Sequence, residues 1–466
     1  MSALSALVDR LGGKSGGLPL KVLAASGQLG YGIPEKAFRA GLERRPDFIG
    51  CDMGSIDPGP YYLGSGQLAT TEAMTLRDLR LVLTGALSLK VPLLIGTAGT
   101  AGAAPHLETT VQMVRRIAHE EGLRFRLAVI QADMPRAVVK AAVRVGGVHS
   151  LGVMPPLTES EVDAASHLVG QMGTEAFQRA LALEPDVVIA GRACDTAIFA
   201  AIPQLLGYPM GALMHMAKII ECTSICCVPG GRDAMLATLE GDSFLLESMN
   251  PIRHATPMSV AAHSLYEQSD PNVVIEPEGA VHLDSAEYHV VDEHRVRVRG
   301  ARWEQASQPS VKLEGAARVG ERAVLVAGSS DPRFIAAIES IIPEVEAIVQ
   351  ELMPPSPEHP YQLFFRVYGV NGVLAWTQPP AVPPREVFIL VECLAETIEE
   401  AKNVVSVSKQ YLLHHGFEGR LSTGGNIAFP FTPPELIASP AYRFNVYHVM
   451  KTDDLAGLFP VRVENV

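Results

Sequence analysis

Short, uniformly apolar runs recur through the first two-fifths of the chain, and helical patterns follow them. KVLAAS (21–26) leads through GQLGYG into PEKAFRAGLERR. DFIGC (47–51) leads into DMGSIDPGPYYLGSG, and VPLLIG (91–96) leads through TAGTAGAAPH into LETTVQMVRRIAHEEG. FRLAVIQ (125–131) precedes PRAVVKAAVRVG, and LEPDVVIAG (183–191) leads into RACDTAIFAAI. A strand with no polar face is a strand buried on both faces. Alternated with amphipathic helices, such runs predict an α/β fold, a mainly parallel sheet with helices on both faces. Ligands of these sheets sit outside the C-terminal strand ends, where the glycine loops fall.

The texture changes near residue 270. VVIEPEGAVHLDSAEYHVVDEHRVRVRGARW alternates polar and apolar residues, as antiparallel strands do. SSDPRFIAAIESIIPEVEAIVQELM is a helical interval opened by a Ser/Asp cap and Pro332. MPPSPEHP (353–360) reads as a linker, and the residues beyond it as a smaller α+β C-terminal module. The expected division is therefore 1–270, an α/β domain carrying the glycine loops; 271–355, a β-rich insertion and helix completing that domain; and 356–466, the smaller module.

A chain of 466 residues exceeds one ordinary core, and an apolar content of 47% with mean hydropathy of +0.17 indicates a well-packed one. The formal net charge of -13 argues against nucleic acid and against anionic membrane surfaces, which are themselves negative. Six cysteines form no disulfide framework. Cys222, Cys226 and Cys227 cluster in CTSICC, but no CxxC pair exists for a structural zinc, and the thiols at 222 and 226 read as core filler. The opening MSALSALVDRLGGKSGG has no basic region leading into an apolar one, and the apolar stretch 209–229 carries His, Lys and Glu. The expectation is a cytoplasmic protein.

Five constellations could carry chemistry. SGQLGYG (26–32) has glycines between strand and helix, but its spacing is G-x-x-G-x-G, so a tight turn is favoured over a dinucleotide loop. Asp52 and Asp57 stand on a Gly/Pro-kinked loop, where two carboxylates can hold a divalent cation or a hydroxylated ligand, or simply build a turn. In IGTAGTAGAAPH (95–106), Gly96, Thr97, Gly99 and Gly102 could turn amides toward an anion at the start of a helix. His106 there could donate to the anion or act as acid or base, or the segment could be a packed crossover. In IAGRACDTA (189–197), Arg192 suits a carboxylate, and Asp195 is an acid/base candidate or an N-cap. In YPMGALMHMAKIIECTSICCVPGGRD (208–233), His215, Lys218 and Glu221 stand at i, i+3 and i+6, spread over about 120° of an otherwise apolar helix. That stripe faces either solvent or a polar cavity; in a cavity Lys218 is a proton donor or carboxylate clamp and Glu221 a general base. Arg232 follows at the next glycine turn.

Taken together, GPYYLGSG after DFIG, GTAGTAGAAPH, VIAGRACD, AKIIEC and GNIAFPFTPPEL resemble the acyclic terpene utilisation (AtuA-like) family over roughly residues 18–435. One departure matters: SGQLGYG lacks the aspartate of the family's glycine–aromatic–glycine–aspartate pattern. The resemblance implies a catabolic role of the kind that serves growth on citronellol- and geraniol-type terpenes and branched acids. It also implies an oligomer, either of this chain alone or with a small companion protein. The residues add anion-binding loops, Arg192 and Arg232 for a carboxylate or CoA ester, and acid/base groups for proton removal and return. No GxSxG elbow after a strand, P-loop or HExxH motif is present. The expected activity is that of a lyase or hydratase acting on a carboxylate or acyl-CoA. A non-catalytic ligand-binding or partner subunit is the alternative, and a hydrolase the third reading. No nicotinamide or flavin is expected; Asp52 and Asp57 are the ligands if a divalent ion is used.

Overall fold

Leu20, Val22, Leu23, Ala24 and Ala25 are fully buried, as a strand covered on both sides requires. The computed structural model describes residues 3–11, 18–266, 269–374, 382–421 and 424–466. Residues 12–17, within the opening stretch read for a leader, lie outside these. The five apolar runs named above are all strands. They belong to a ten-stranded sheet, numbered here in chain order: β1 (Leu20–Ser26), β2 (Phe48–Asp52), β3 (Leu93–Gly96), β4 (Arg126–Ile130), β5 (Val187–Ala190), β6 (Met235–Glu240), β7 (Ser243–Ser248), β8 (Glu287–Val290), β9 (Arg295–Arg299) and β10 (Val461–Asn465).

Their order is β8-β9-β7-β6-β1-β2-β3-β5-β4-β10. The central strands β1, β2, β3, β5 and β4 pair in parallel. Every flanking pair is antiparallel. The expectation of a mainly parallel sheet is therefore corrected: the sheet is mixed. The reason is local, since β6 and β7 are joined at Gly241 (φ +57°) by a hairpin, which can only return antiparallel.

Successive strand residues divide between two hydrophobic clusters, Val22 and Ala24 in one, Leu23 and Ala25 in the other. Helices α1 (Glu35–Glu43), α2 (Glu72–Leu89) and α3 (Ala104–Glu121) give Phe38, Leu83 and Val114 to the second cluster. Helices α4 (Thr174–Leu181), α5 (Asp195–Leu205) and α6 (Met210–Ile220) give Phe177, Phe199 and Leu213 to the first, as α7 (Pro257–Ser264) gives Val260. None of the helices among the described residues is long and apolar enough to cross a membrane.

The chain forms two compact units, residues 1–317 with 444–466, and residues 318–443. These limits differ from the expected ones at 270 and 355. In the second unit α8 (Pro332–Leu352) and α9 (Ile398–His414) share a cluster with the strand Val387–Ala395, through Phe334, Ile338, Val405, Leu412, Ile389 and Val391. The interval read as completing the first domain is thus divided: residues 271–317, with β8 and β9, lie in the first unit, and the helix α8 lies in the second, where its apolar face is covered.

Candidate active site

Strand register places the loops on one rim. Asp52 pairs with Gly96 and Ile95 with Ile189, so the chain leaves β2, β3 and β5 at neighbouring C-terminal ends. The loops then interlock. The N–H groups of Thr97 and Ala98 donate to the carbonyls of Gly191 and Ala190, and that of Arg192 to Gly102. Gly102 has φ +69°, and a Cβ there would lie 2.2 Å from the Arg192 nitrogen. A Cβ on Gly96 would meet Ile198, and one on Gly99 (φ +63°) would meet His106. This glycine segment is a packed crossover buried against the next loop.

The protein's own carboxylates bond the backbone at the anion seat foreseen before α3 and at the first glycine loop, read as a tight turn. The backbone of Ala104, the first residue of α3, hydrogen-bonds the carboxyl of Asp133, which burial pushes up to about 6. Asp78 accepts from the N–H groups of Gly30, Gly32 and Ile33, tying down the first glycine loop. His106 is fully buried with Nε2 3.1 Å from the carbonyls of Tyr62 and Gln67, and burial lowers its pKa to about 4. It is a neutral ring pinning the 62–67 segment.

The apolar helix α6 is buried along nearly its whole length, and its ionisable stripe faces inward. His215 bonds Ser264 through Nε2 at 3.0 Å and meets Phe244 and Tyr288 edge-on; burial lowers its pKa to about 3. Lys218 donates to Glu221 at 2.7 Å, both side chains buried. Burial works against the Lys218 charge, but Glu221 more than restores it and raises the pKa. Glu221 is also one of the charges felt by Asp52.

Asp52 is the focus of this rim. It is buried, its carboxyl accepts from the Gly54 backbone, and Oδ1 has no partner among the described residues. Burial, then the negative charges of Asp195 and Glu221, raise its proton affinity well above the carboxylate range, opposed by Arg192. Arg192, at the end of β5, is buried and forks onto Glu314 at 2.7 and 3.2 Å, with Thr97 Oγ1 at 3.3 Å and Asp195 Oδ1 at 4.0 Å. Lys312 adds a second cation to Glu314 at 3.0 Å. Burial pushes the Glu314 pKa up, yet Arg192 and Lys312 hold it low. Arg192 is therefore spent on an internal carboxylate. Thr196 of α5 donates to Glu276 at 2.8 Å, and burial pushes that carboxyl up to about 8.

Asp57 is exposed on its turn, where its N–H donates to Ser55 Oγ. Asp52, the other carboxylate of the expected cation pair, is buried at the strand end. A cavity of about 130 Å³ adjoins the strand ends, lined by Ser26, Gly27, Gln28, Cys222, Thr223 and Arg232 among others. Its walls meet at Gly27, where a Cβ would lie 2.6 Å from the Glu221 carbonyl. Arg232 is exposed there, 5.9 Å above the Tyr31 ring, and sets a cation at the mouth.

The rim thus joins Asp52, Asp195, Lys218 and Glu221, while His106 and His215 stay in packing roles. Glu276, Glu314, Lys312 and His263 escaped the sequence reading. Glu314 lies in an apolar–polar alternation where any charge reads as outward-facing, and a lone histidine in α7 has no spacing signal. The family model described as "Acyclic terpene utilisation family protein AtuA" matches residues 79–207 and 240–432. No curated protein and no solved structure matches the chain.

Proposed function

We propose that this chain, which belongs to the AtuA family of acyclic terpene utilisation proteins, is a catabolic enzyme that moves a proton next to a carbonyl. Its reaction class is that of a lyase or hydratase, and its substrate a carboxylate or an acyl-CoA of the terpene or branched-acid type. One observation carries the reading: the buried Asp52 carboxyl at the C-terminal end of a central strand, with an oxygen that has no partner among the described residues and a raised proton affinity. A buried carboxyl whose proton affinity is raised is fitted to take a proton from carbon or return it.

The neighbours support complementary roles. Asp195 and Glu221 keep the Asp52 proton affinity high, while Lys218 holds the Glu221 carboxylate in place at 2.7 Å. Arg232 at the cavity mouth suits the negative charge of a carboxylate or of CoA phosphates. A purely ligand-binding subunit would have no use for an acidic group of raised proton affinity among three carboxylates. Asp52→Asn keeps the shape and removes the proton carrier. Turnover of an α,β-unsaturated branched acyl-CoA or its free acid should fall about a hundredfold or more, with binding by calorimetry retained. Unchanged turnover would remove Asp52 from the chemistry; saturable binding with no turnover in the wild type would favour the binding subunit.

A further inference from the structure

Three side chains of different chemistry converge where α6 ends. Glu221, Cys222 and His263 each offer one ligand atom, and the three atoms lie within 4.8 Å of one another. Donor atoms of a tetrahedral zinc centre with bonds of about 2.0–2.3 Å stand about 3.5 Å apart. Rotamer adjustments on the order of 1 Å would close the set. Glu221 and Cys222 are neighbours at the helix C-terminus, and His263 comes from α7, so two packed helices hold the triad.

A second observation points the same way. His263 is 6% exposed, and its Nε2 has no hydrogen-bond partner among the described residues. A buried ring nitrogen left without a partner costs free energy that a bound cation would recover. The Cys222 thiol donates to Glu221 Oε2 at 3.4 Å, so a proton stands where a cation would bridge the same two atoms.

We infer that Glu221, Cys222 and His263 form a three-ligand site for a divalent transition metal of the zinc class. Thiolate and imidazole select such an ion over magnesium or calcium, and three protein ligands leave a position for an exogenous one. Cys222 also lines the cavity carrying Arg232, so the remaining position is reachable by a ligand held there. Lys218, bonded to Glu221, orients the carboxylate from behind. The other chemistry open to a Cys/His pair is nucleophilic thiol catalysis. It is disfavoured because the Cys222 thiol donates to Glu221 Oε2 at 3.4 Å, a carboxylate and not an imidazole base.

The inference does not rest on the proton-transfer reading, and its test is spectroscopic. The full chain, stripped by chelator, is titrated with Co²⁺ and then competed with Zn²⁺. The wild type should take up one equivalent and show thiolate-to-cobalt charge-transfer absorption. Cys222→Ser should abolish that absorption. His263→Gln should keep the thiolate but weaken zinc binding by at least the tenfold to hundredfold that loss of an outer partner costs. Cys393→Ala, altered in the separate second unit, should bind as the wild type does. Asp52→Asn should retain the metal even where turnover is lost, which separates the two claims. Uptake below about a tenth of an equivalent by folded wild type, or a charge-transfer band persisting in Cys222→Ser, would overturn the site. If Cys222→Ser does not fold, the wild-type spectrum and His263→Gln decide.

Discussion

Arg192 shows how a residue type suited to a ligand can be committed elsewhere. Its guanidinium forks onto Glu314, which is itself fully buried. Removing one member of a buried pair strands the other, at a cost of about 3–5 kcal/mol. Glu314→Gln should destabilise the first unit by that order in denaturant unfolding; a loss below about 1 kcal/mol would mean that Lys312 and Arg192 find other partners. His215 makes the complementary case. Its folded pKa is lowered from 6.5 to about 3 by burial, so the unfolded chain takes up the proton first as pH falls. Its contribution is complete above about 6.5 and is lost below that value. Relative to His215→Gln, the wild type should therefore lose about 1.4 kcal/mol per pH unit on acidification from about 6.5 toward 3. A pH-independent difference would show that the ring is charged or hydrated in the fold.

At the scale of elements, uniformly apolar runs made β1 to β5 legible, since no other element buries both faces over so few residues. The antiparallel flank went unread, although Gly241-Asp242 between two apolar runs is itself a two-residue hairpin signal. The glycine loops at 96–102 and 191 share the rim expected of them, but the sequence left their use open. Glycine between a strand and a helix signals close approach, and sequence does not say whether a ligand or another loop approaches. Here Gly102 lies against the Arg192 backbone. Gly102→Ala adds a left-handed φ, about 1–2 kcal/mol, and a backbone clash, so it should destabilise the fold by several kcal/mol in denaturant unfolding. A variant as stable as wild type would return the loop to a ligand-facing role. The stripe on α6 was legible because ionisable residues among Leu, Met and Ile are costly unless paired. Its partners were not, since Asp52 and His263 come from distant elements.

Across the whole molecule, the two units have separate cores, and all groups of the candidate site lie in the first, residues 1–317 with 444–466. Family membership places the chain in acyclic terpene utilisation, and the rim supplies a chemical reading of it: Asp52 as proton carrier, with Asp195, Glu221 and Lys218 setting its charge environment. Proton transfer next to a carbonyl leaves a direct trace, exchange of the carbon-bound hydrogen with solvent. Incubating the full-length protein in D₂O with a branched acyl-CoA or its free acid, and following the α-proton by NMR, reads that step alone. Deuterium should enter with the wild type, and entry should slow about a hundredfold or more in Asp52→Asn while ligand binding persists. A bound ligand that gains no deuterium with the wild type, or gains it equally fast with Asp52→Asn, would contradict the account.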